Sequence, residues 1–325
     1  MDFKTQVLSE LETMKIGEFV TGGKFKALAY DKAIKAIRSL DVPLVDAAQV
    51  KDLPGVGEKI YNKVVEILAT GALVSAAKMR ERTDVDAVKE LLDIHGVGPV
   101  KARELIAAGY KSVADLRRAV IEKPKLLNKT QLLGLKYYEA TLERIPRDEM
   151  REHEKTLLSG LPRSLHGVIV GSYRRGAATS GDIDMLVTYP AEMTDKAASE
   201  LFTGFVGLLT RAGYIVDTLA SGDKKWLGYV KLGDGTVRRL DLLLTPPAEY
   251  AYAILYFTGS DKFNVAFRRW CSARGYTLNE HALKLLDGST ASAVPISTEE
   301  AIFDFVGLCW VPPTERVDGA QIVAA

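Results

Sequence analysis

The sequence predicts a modular α+β protein, helical from its N-terminus to about residue 147 and sheet-bearing beyond it. Three observations carry this. Helical spacing dominates the first part, where Ile60, Val64, Ile67 and Leu68 recur on one face, as do Ala102, Leu105 and Ile106. Short aliphatic and aromatic runs dominate the second, in GVIVGS, DIDMLVTYP, WLGYVKL and VRRLDLLLTP. Between them Pro146, in RIPRDEM, interrupts a helical pattern and predicts a boundary near 147.

A chain of 325 residues has room for two or more domains. With 47% hydrophobic and 26% charged residues it is ordinary globular material, so disorder, collagen and coiled coil fail as readings of the whole. No apolar run reaches the roughly 18 residues of a membrane span. The opening MDFKTQVLSELETMKIGEF lacks the apolar stretch of a signal peptide. Cys271 and Cys309 are the only cysteines, too few for a disulfide framework or a Cys-rich zinc site. An intracellular, reducing setting without a membrane partner is expected.

The net charge of +1 conceals an asymmetry. Residues 1–90 carry 14 basic and 14 acidic side chains, residues 91–147 carry 11 and 6, and residues 148–325 carry 18 and 22. A basic middle beside an acidic C-terminal half fits parts with different work. A phosphate-binding surface needs only local charge, so a neutral sum does not exclude one.

In chain order, the helical part contains a near-repeat. LPGVGEKIYNKVVEIL begins at Leu53 and IHGVGPVKARELIAAG at Ile94, with the Gly-Val-Gly units 41 residues apart. Each pairs an apolar residue and Gly-Val-Gly with a helix that is basic in its first turns. This is a helix-hairpin-helix pattern. Gly55, Gly57, Gly96 and Gly98 permit a tight turn and let backbone N–H groups at a helix start approach a phosphate. Such a motif holds a nucleic-acid backbone without reading bases. One copy alone is equally an ordinary Gly-rich helix turn; two with matching flanks are not. Past 147 come the four strand-like runs, with ASELFTGFVGLLTRAG as an amphipathic helix among them, and from Pro246 a mixed aromatic segment.

The sharpest local signal is VGSYRRGAATSGDIDMLV. Val170-Gly171-Ser172 is expected to end a strand, and Asp182-Ile183-Asp184 follows. Alternation puts Asp182 and Asp184 on one strand face and Ile183 and Met185 on the other. Two carboxylates about 7 Å apart along a strand repel unless something cationic intervenes. A hard divalent cation with oxygen ligands, usually Mg²⁺ where phosphates complete the shell, is the natural solution. Asp241, among the aliphatics of RRLDLLL, is costly there unless it meets a ligand or partner. Three converging carboxylates would support two metals and phosphoryl transfer. Ser172, Arg175 and the backbone at Gly181 would then hold a triphosphate. By itself Asp-x-Asp is also compatible with a solvated turn; the whole set is much less so.

These residues carry a resemblance. Gly-Ser, Asp-Ile-Asp and a later strand aspartate resemble the nucleotidyltransferase superfamily. GSYRRGAATSGDID, RRLDLLLTP, YFTGSDKFN and YTLNEHAL, with the two hairpins, resemble family X DNA polymerases, the group of polymerases beta and lambda. The resemblance runs from about residue 10 to about 316. It implies a lyase-like helical domain at 1–82, a helical DNA-binding subdomain at 83–147, a catalytic palm of mixed sheet at 148–247 and a small α+β nucleotide-selecting subdomain at 248–325. It implies that Asp182 and Asp184 bind both of two Mg²⁺ ions, with Mn²⁺ as a substitute, and that Asp241 binds the catalytic one and accepts the primer 3′-hydroxyl proton. Ser172, Arg175 and Gly181 would hold the β and γ phosphates. Tyr256, Phe257 and Gly259 would crowd the sugar 2′ position, and Asp261 and Asn264 would meet the base. Arg239 would sit near the primer terminus, with Arg268 and Tyr276 on the template side. A monovalent cation at the hairpin turns is also implied.

The N-terminal part resembles a deoxyribose-phosphate lyase domain. That reaction needs a neutral amine, and an ordinary lysine is less than about 0.1% neutral at pH 7. Lys59 and Lys63 share a helix face at i,i+4. Lys63 matches the family's nucleophile and Lys59 a 5′-phosphate ligand; Lys26, Tyr30 and Lys51 match further DNA-contacting or supporting positions. Departures exist. The segment has no net positive charge, and Ser75 stands where polymerase beta has another lysine. Leu243 stands where polymerase beta has an arginine and polymerase lambda an aliphatic residue. A BRCT-like domain before the lyase segment is not expected.

The expected protein is thus a monomeric, template-directed polymerase that fills short gaps in DNA during base excision repair, nuclear if the source is eukaryotic. Its substrates are gapped or nicked DNA and deoxynucleoside triphosphates. A template-independent terminal transferase is the first rival; it would need an insertion in place of the template, whereas Gly233-Asp234-Gly235 gives a short hairpin turn. A catalytically weak gapped-DNA binding module is the second; three intact aspartates oppose it. Four histidines leave a His-rich phosphatase or nuclease unsupported.

Overall fold

The computed structural model describes residues 2–40, 42–82, 84–289 and 296–325. The chain divides into two compact units, Met1–Tyr138 and Glu139–Ala325.

The first unit is helical throughout. Helix α1 (Lys4–Val20) packs along α2 (Lys24–Arg38). A 3-10 turn at Ala47–Val50 starts in a capping box, in which the Asp46 carboxylate accepts from Ala48 N–H and the Gln49 side chain accepts from Asp46 N–H. Helices α3 (Glu58–Thr70) and α4 (Val74–Arg82) complete a core of Val7, Leu11, Ile34, Ile37, Val64 and Ile67. Ile60, Val64 and Ile67 are its inward face, as their spacing predicts. Then come α5 (Val85–Leu92), α6 (Pro99–Ala107), α7 (Val113–Glu122) and α8 (Lys129–Lys136), closed on Leu91, Ile94, Leu105, Leu116 and Leu135. The division between units falls at the start of α9 (Tyr138–Leu142).

The two Gly-Val-Gly units fold alike. Gly55 and Gly96 take φ of 87° and 83°, a region that favours glycine. Val56 and Val97 are buried. Gly57 and Gly98 then start α3 and α6 as N-caps, without a side-chain cap.

The second unit holds a five-stranded mixed sheet. Its elements are β1 (Ile145–Pro146), α10 (Arg147–Gly160), β2 (His166–Ile169), α11 (Gly171–Arg174), β3 (Thr179–Ser180), β4 (Ile183–Thr188), α12 (Asp195–Arg211), β5 (Ile215–Ser221), β6 (Lys225–Val230) and β7 (Arg238–Leu244). The sheet order is β2-β4-β7-β6-β5, with β4 and β7 parallel and the other pairs antiparallel. Its buried face, including Ile183, Met185, Leu240 and Leu242, packs with Leu157, Phe202 and Phe205. Beyond it, α13 (Tyr250–Thr258), α14 (Asp261–Ala273), β8 (Tyr276–Leu278), β9 (Leu283–Leu285) and α15 (Glu299–Phe305) close on Phe263, Phe267, Leu283 and Phe303.

The structure departs from expectation in three places. Residues 139–147 pack with the second unit, because Ile145 and Pro146 pair with Ser180 and Thr179. GVIVGS is only partly strand: β2 stops at Ile169, and Gly171-Ser172 opens one helical turn. Strand β5 was not expected. Among the described residues no single helix is long and apolar enough to cross a membrane.

Candidate active site and nucleic-acid surfaces

Parallel pairing of β4 with β7 sets Asp184 directly across from Asp241. Asp182 stands immediately before β4, and Ile183 and Met185 on the opposite face are fully buried. The neighbouring turn is built against this pair. Val170 N–H donates to the Asp184 carbonyl at 2.8 Å, and Gly171 takes φ 61°. A Cβ on Gly171 would lie 2.9 Å from the Asp184 Oδ2, so both backbone and carboxylate require glycine.

The three carboxylates strain one another. Burial, then Asp182 and Asp241, lift the Asp184 carboxyl to about 7, against the opposing pull of Arg239 and Arg175. Burial and Asp182 raise Asp241 likewise, with Arg239 and Lys225 opposing. Arg239 supplies the local countercharge. Its guanidinium donates to Asp182 and lies 3.8 Å from Asp241. Among the described residues no three Asp, Glu, His or Cys side chains stand together as a ready ligand set. Arg239 holds the Asp182 carboxylate on its guanidinium. The donors themselves are hard oxygens with excess negative charge, which fits a divalent cation such as Mg²⁺.

Beside the carboxylates lies the segment expected to hold phosphates. Ser172 donates to Ser180 Oγ at 3.0 Å. Arg175 donates to the Thr258 carbonyl at 2.5 Å, with its own pKa lowered by burial despite Asp261 and Asp184. Gly181, just before Asp182, has Arg144 as its neighbour. The segment expected on the sugar and base side is α13 into α14. Tyr256 and Phe257 meet edge to face at 5.1 Å, and Gly259 ends α13 at φ 66°. Asn264 donates to the Tyr256 carbonyl at 2.7 Å, fixing that turn from within. Asp261 heads α14 on the side of Arg175. Arg268 and Tyr276 line an open groove of about 400 Å³ with Arg269, Ser272 and Thr277. The Tyr276 ring also packs on Phe305 at 5.6 Å.

In the first unit, a Cβ on Gly57 or Gly98 would meet nothing within 4 Å, so both hairpin helix starts face open space. Lys59 and Lys51 are exposed. Lys63 is half-buried and donates to Ser75 Oγ at 3.0 Å. Lys26 reaches Glu18 at 3.4 Å. Tyr30 fits the supporting rather than the DNA-contacting alternative. It lies in the core, 7% exposed, where burial and Glu18 push its hydroxyl up to about 12.

Residues not singled out from sequence also belong here. Arg174 donates to Thr258 Oγ1 at 2.8 Å and to Glu299 at 2.6 Å, tying α11 to α13 and α15. The paired arginines of YRRG were the available signal. Phe25 is 87% exposed between Lys24 and Lys26. An aromatic flanked by two lysines is the signal there.

Family descriptions match most of the chain. Residues 4–73 match a helix-hairpin-helix domain, 89–141 the fingers domain of DNA polymerase lambda, 144–247 the DNA polymerase beta palm and 253–317 the DNA polymerase beta thumb. The chain belongs to family X of the DNA polymerases. It is 33% identical to DNA polymerase lambda of Rattus norvegicus over 97% of this chain and 56% of that protein. To DNA polymerase lambda of Arabidopsis thaliana it is 30% identical, over 90% of this chain and 58% of that one. The chain thus spans somewhat more than half the length of these family X relatives.

Proposed function

We propose that this protein is a template-directed DNA polymerase that adds deoxynucleotides to a primer 3′-hydroxyl in short gaps, within base excision repair. The carrying observation is the in-register pairing of Asp184 with Asp241 beside Asp182. Asp182 and Asp184 would hold two Mg²⁺ ions and Asp241 one of them. When bound, the ions supply Lewis acidity at the phosphoryl group and lower the barrier to ionising the attacking hydroxyl. Asp241, whose pKa burial raises, would take the 3′-hydroxyl proton. Arg239, paired with Asp182 in this structure, would sit near the primer terminus. Ser172, Arg175 and the Gly181 backbone grip the phosphates. Tyr256, Phe257 and Gly259 select the sugar, Asp261 and Asn264 face the base, and Arg268 and Tyr276 take the template side.

The first unit is the proposed 5′-end domain. Lys63 is the amine that would attack the abasic sugar, with Ser75 as its neighbour, and Lys59, Lys26, Lys51 and Phe25 would meet the 5′-phosphate and adjoining base. Hairpin helix starts at Gly57 and Gly98 would contact the DNA backbone. Their turns are the proposed place for a monovalent cation. The protein would act as a monomer, in the nucleus if the source is eukaryotic.

The β6–β7 connection, residues 231–237, is short, which favours a templated enzyme over a terminal transferase. The test is extension of a primer across a one-nucleotide gap, with and without a 5′-phosphate, in Mg²⁺ or EDTA. Extension should need metal and template and should improve with the phosphate. Equal extension of a single strand without template would support the transferase instead.

A further inference from the structure

Behind the strand that carries Asp241 runs a chain of buried and half-buried polar groups that touches no proposed substrate. Arg238 opens β7, immediately before Arg239. Its side chain is 2% exposed and donates to both Glu149 oxygens, at 2.6 and 2.8 Å. It donates also to the Glu143 carbonyl at 3.0 Å. Glu149 lies in the first turn of α10. One turn on, His153 is fully buried, with Nδ1 at 2.7 Å from the Tyr214 hydroxyl and Nε2 at 3.6 Å from Glu149. Burial pushes this imidazole down to about 4, so it is neutral. The tautomer that suits both neighbours carries its proton on Nε2, toward Glu149, and accepts from Tyr214 at Nδ1.

The same short segment grips the phosphate-side loop. Arg144 donates to the Thr179 carbonyl at 2.7 Å, and Arg147 to the carbonyls of Tyr173 and Ala177 at 3.0 and 3.1 Å. Residues 143–149 therefore brace two things at once: the loop from Ser172 to Asp182, and the root of β7. An ion pair with one partner buried and the other half-buried is a weak device for stability, because desolvation offsets the attraction. It is a strong device for geometry, since a two-point guanidinium–carboxylate fork fixes direction as well as distance.

We propose that Glu149 is a positioning residue for nucleotidyl transfer, acting through Arg238 to hold Asp241 in place relative to Asp182 and Asp184. This rests on the polymerase reading of the site. Two variants test it, Glu149→Gln and the double variant Glu149→Met with Arg238→Leu, beside wild type. Three quantities are measured: single-turnover insertion into a one-nucleotide gap, Mn²⁺ binding to the free protein by electron paramagnetic resonance, and the thermal midpoint. Glu149→Gln should slow insertion and weaken Mn²⁺ binding, each by roughly 10-fold or more, as loss of outer-shell support does elsewhere. DNA affinity should stay within about twofold, since the DNA contacts lie elsewhere. The double variant leaves no unpaired buried charge, so its thermal midpoint should recover while insertion and Mn²⁺ binding stay impaired. A double variant with wild-type insertion and Mn²⁺ affinity would overturn the proposal. So would a Glu149→Gln deficit that vanishes once scaled to the folded fraction. Wild-type protein without metal-dependent insertion would instead overturn the polymerase reading, and this inference with it.

Discussion

Replacing Asp184 with asparagine should stabilise the metal-free protein while destroying its activity. In the folded chain its carboxyl is raised from 3.8 to about 7 by burial and by Asp182 and Asp241. The folded state therefore keeps a proton that the unfolded state releases. The associated stability is fully present below about pH 4 and is lost as the pH climbs through about 7. A rise of roughly three units corresponds to ~4 kcal/mol as an upper bound. Asparagine cannot ionise and escapes that loss. Urea unfolding in EDTA should show Asp184→Asn more stable than wild type at pH 8, by up to ~4 kcal/mol. Near pH 4 the two should converge. Tryptophan fluorescence is a suitable probe, because Trp226, Trp270 and Trp310 all lie in the second unit. Excess Mg²⁺ should narrow or reverse the difference, since on the proposed reading it would bind the folded wild type more tightly than the variant. A stability gap that does not grow with pH in EDTA would refute the electrostatic account.

Asp241→Ala should reduce nucleotide addition by several orders of magnitude while leaving gapped-DNA affinity largely intact, as primer extension and a binding titration would show. Tyr256→Gly should raise ribonucleotide insertion relative to deoxynucleotide insertion; unchanged discrimination would remove Tyr256 as the sugar wall. Borohydride should trap the wild type on an incised abasic site, and Lys63→Ala should lose most of that adduct while still filling gaps with ordinary ends. Lys59→Ala should instead weaken binding to a 5′-phosphorylated gap, and the wild-type advantage should shrink as salt rises. An undiminished adduct in Lys63→Ala would mean that another amine does the chemistry.

Much of this was legible because the residues concerned obey local rules. Gly55 and Gly96 signal their turns through glycine alone, and their φ values of 87° and 83° are the reason. Asp241 was conspicuous because an aspartate among leucines needs a purpose. What escaped depends on distant partners or weak local pattern. Strand β5 reads IVDTLAS, a half-exposed edge strand whose Asp217, Thr218 and Ser221 blur the alternation. Ser172 was expected at a strand end, but Gly171 turns the chain left-handed against Asp184. The hold of Arg239 on Asp182, of Lys63 on Ser75 and of Arg174 on Glu299 each joins segments that only the fold brings together. Tyr30 shared helical spacing with Lys26, yet spacing does not say which of the two faces the core.

The pairing of β4 with β7 has a consequence for how the protein is made. Parallel neighbours cannot be joined by a hairpin, and here all of α12, β5 and β6 lies between them. Asp184 and Asp241 therefore meet only after that whole excursion has folded back. Non-local closure of this kind is slow, because chain entropy is lost before any contact compensates. During synthesis the half carrying Asp182 and Asp184 emerges first, before Asp241 is available to pair across from Asp184. Appearance of a divalent-ion response during refolding would then be a clock for the last step of assembly, later than the helical signal of the N-terminal unit.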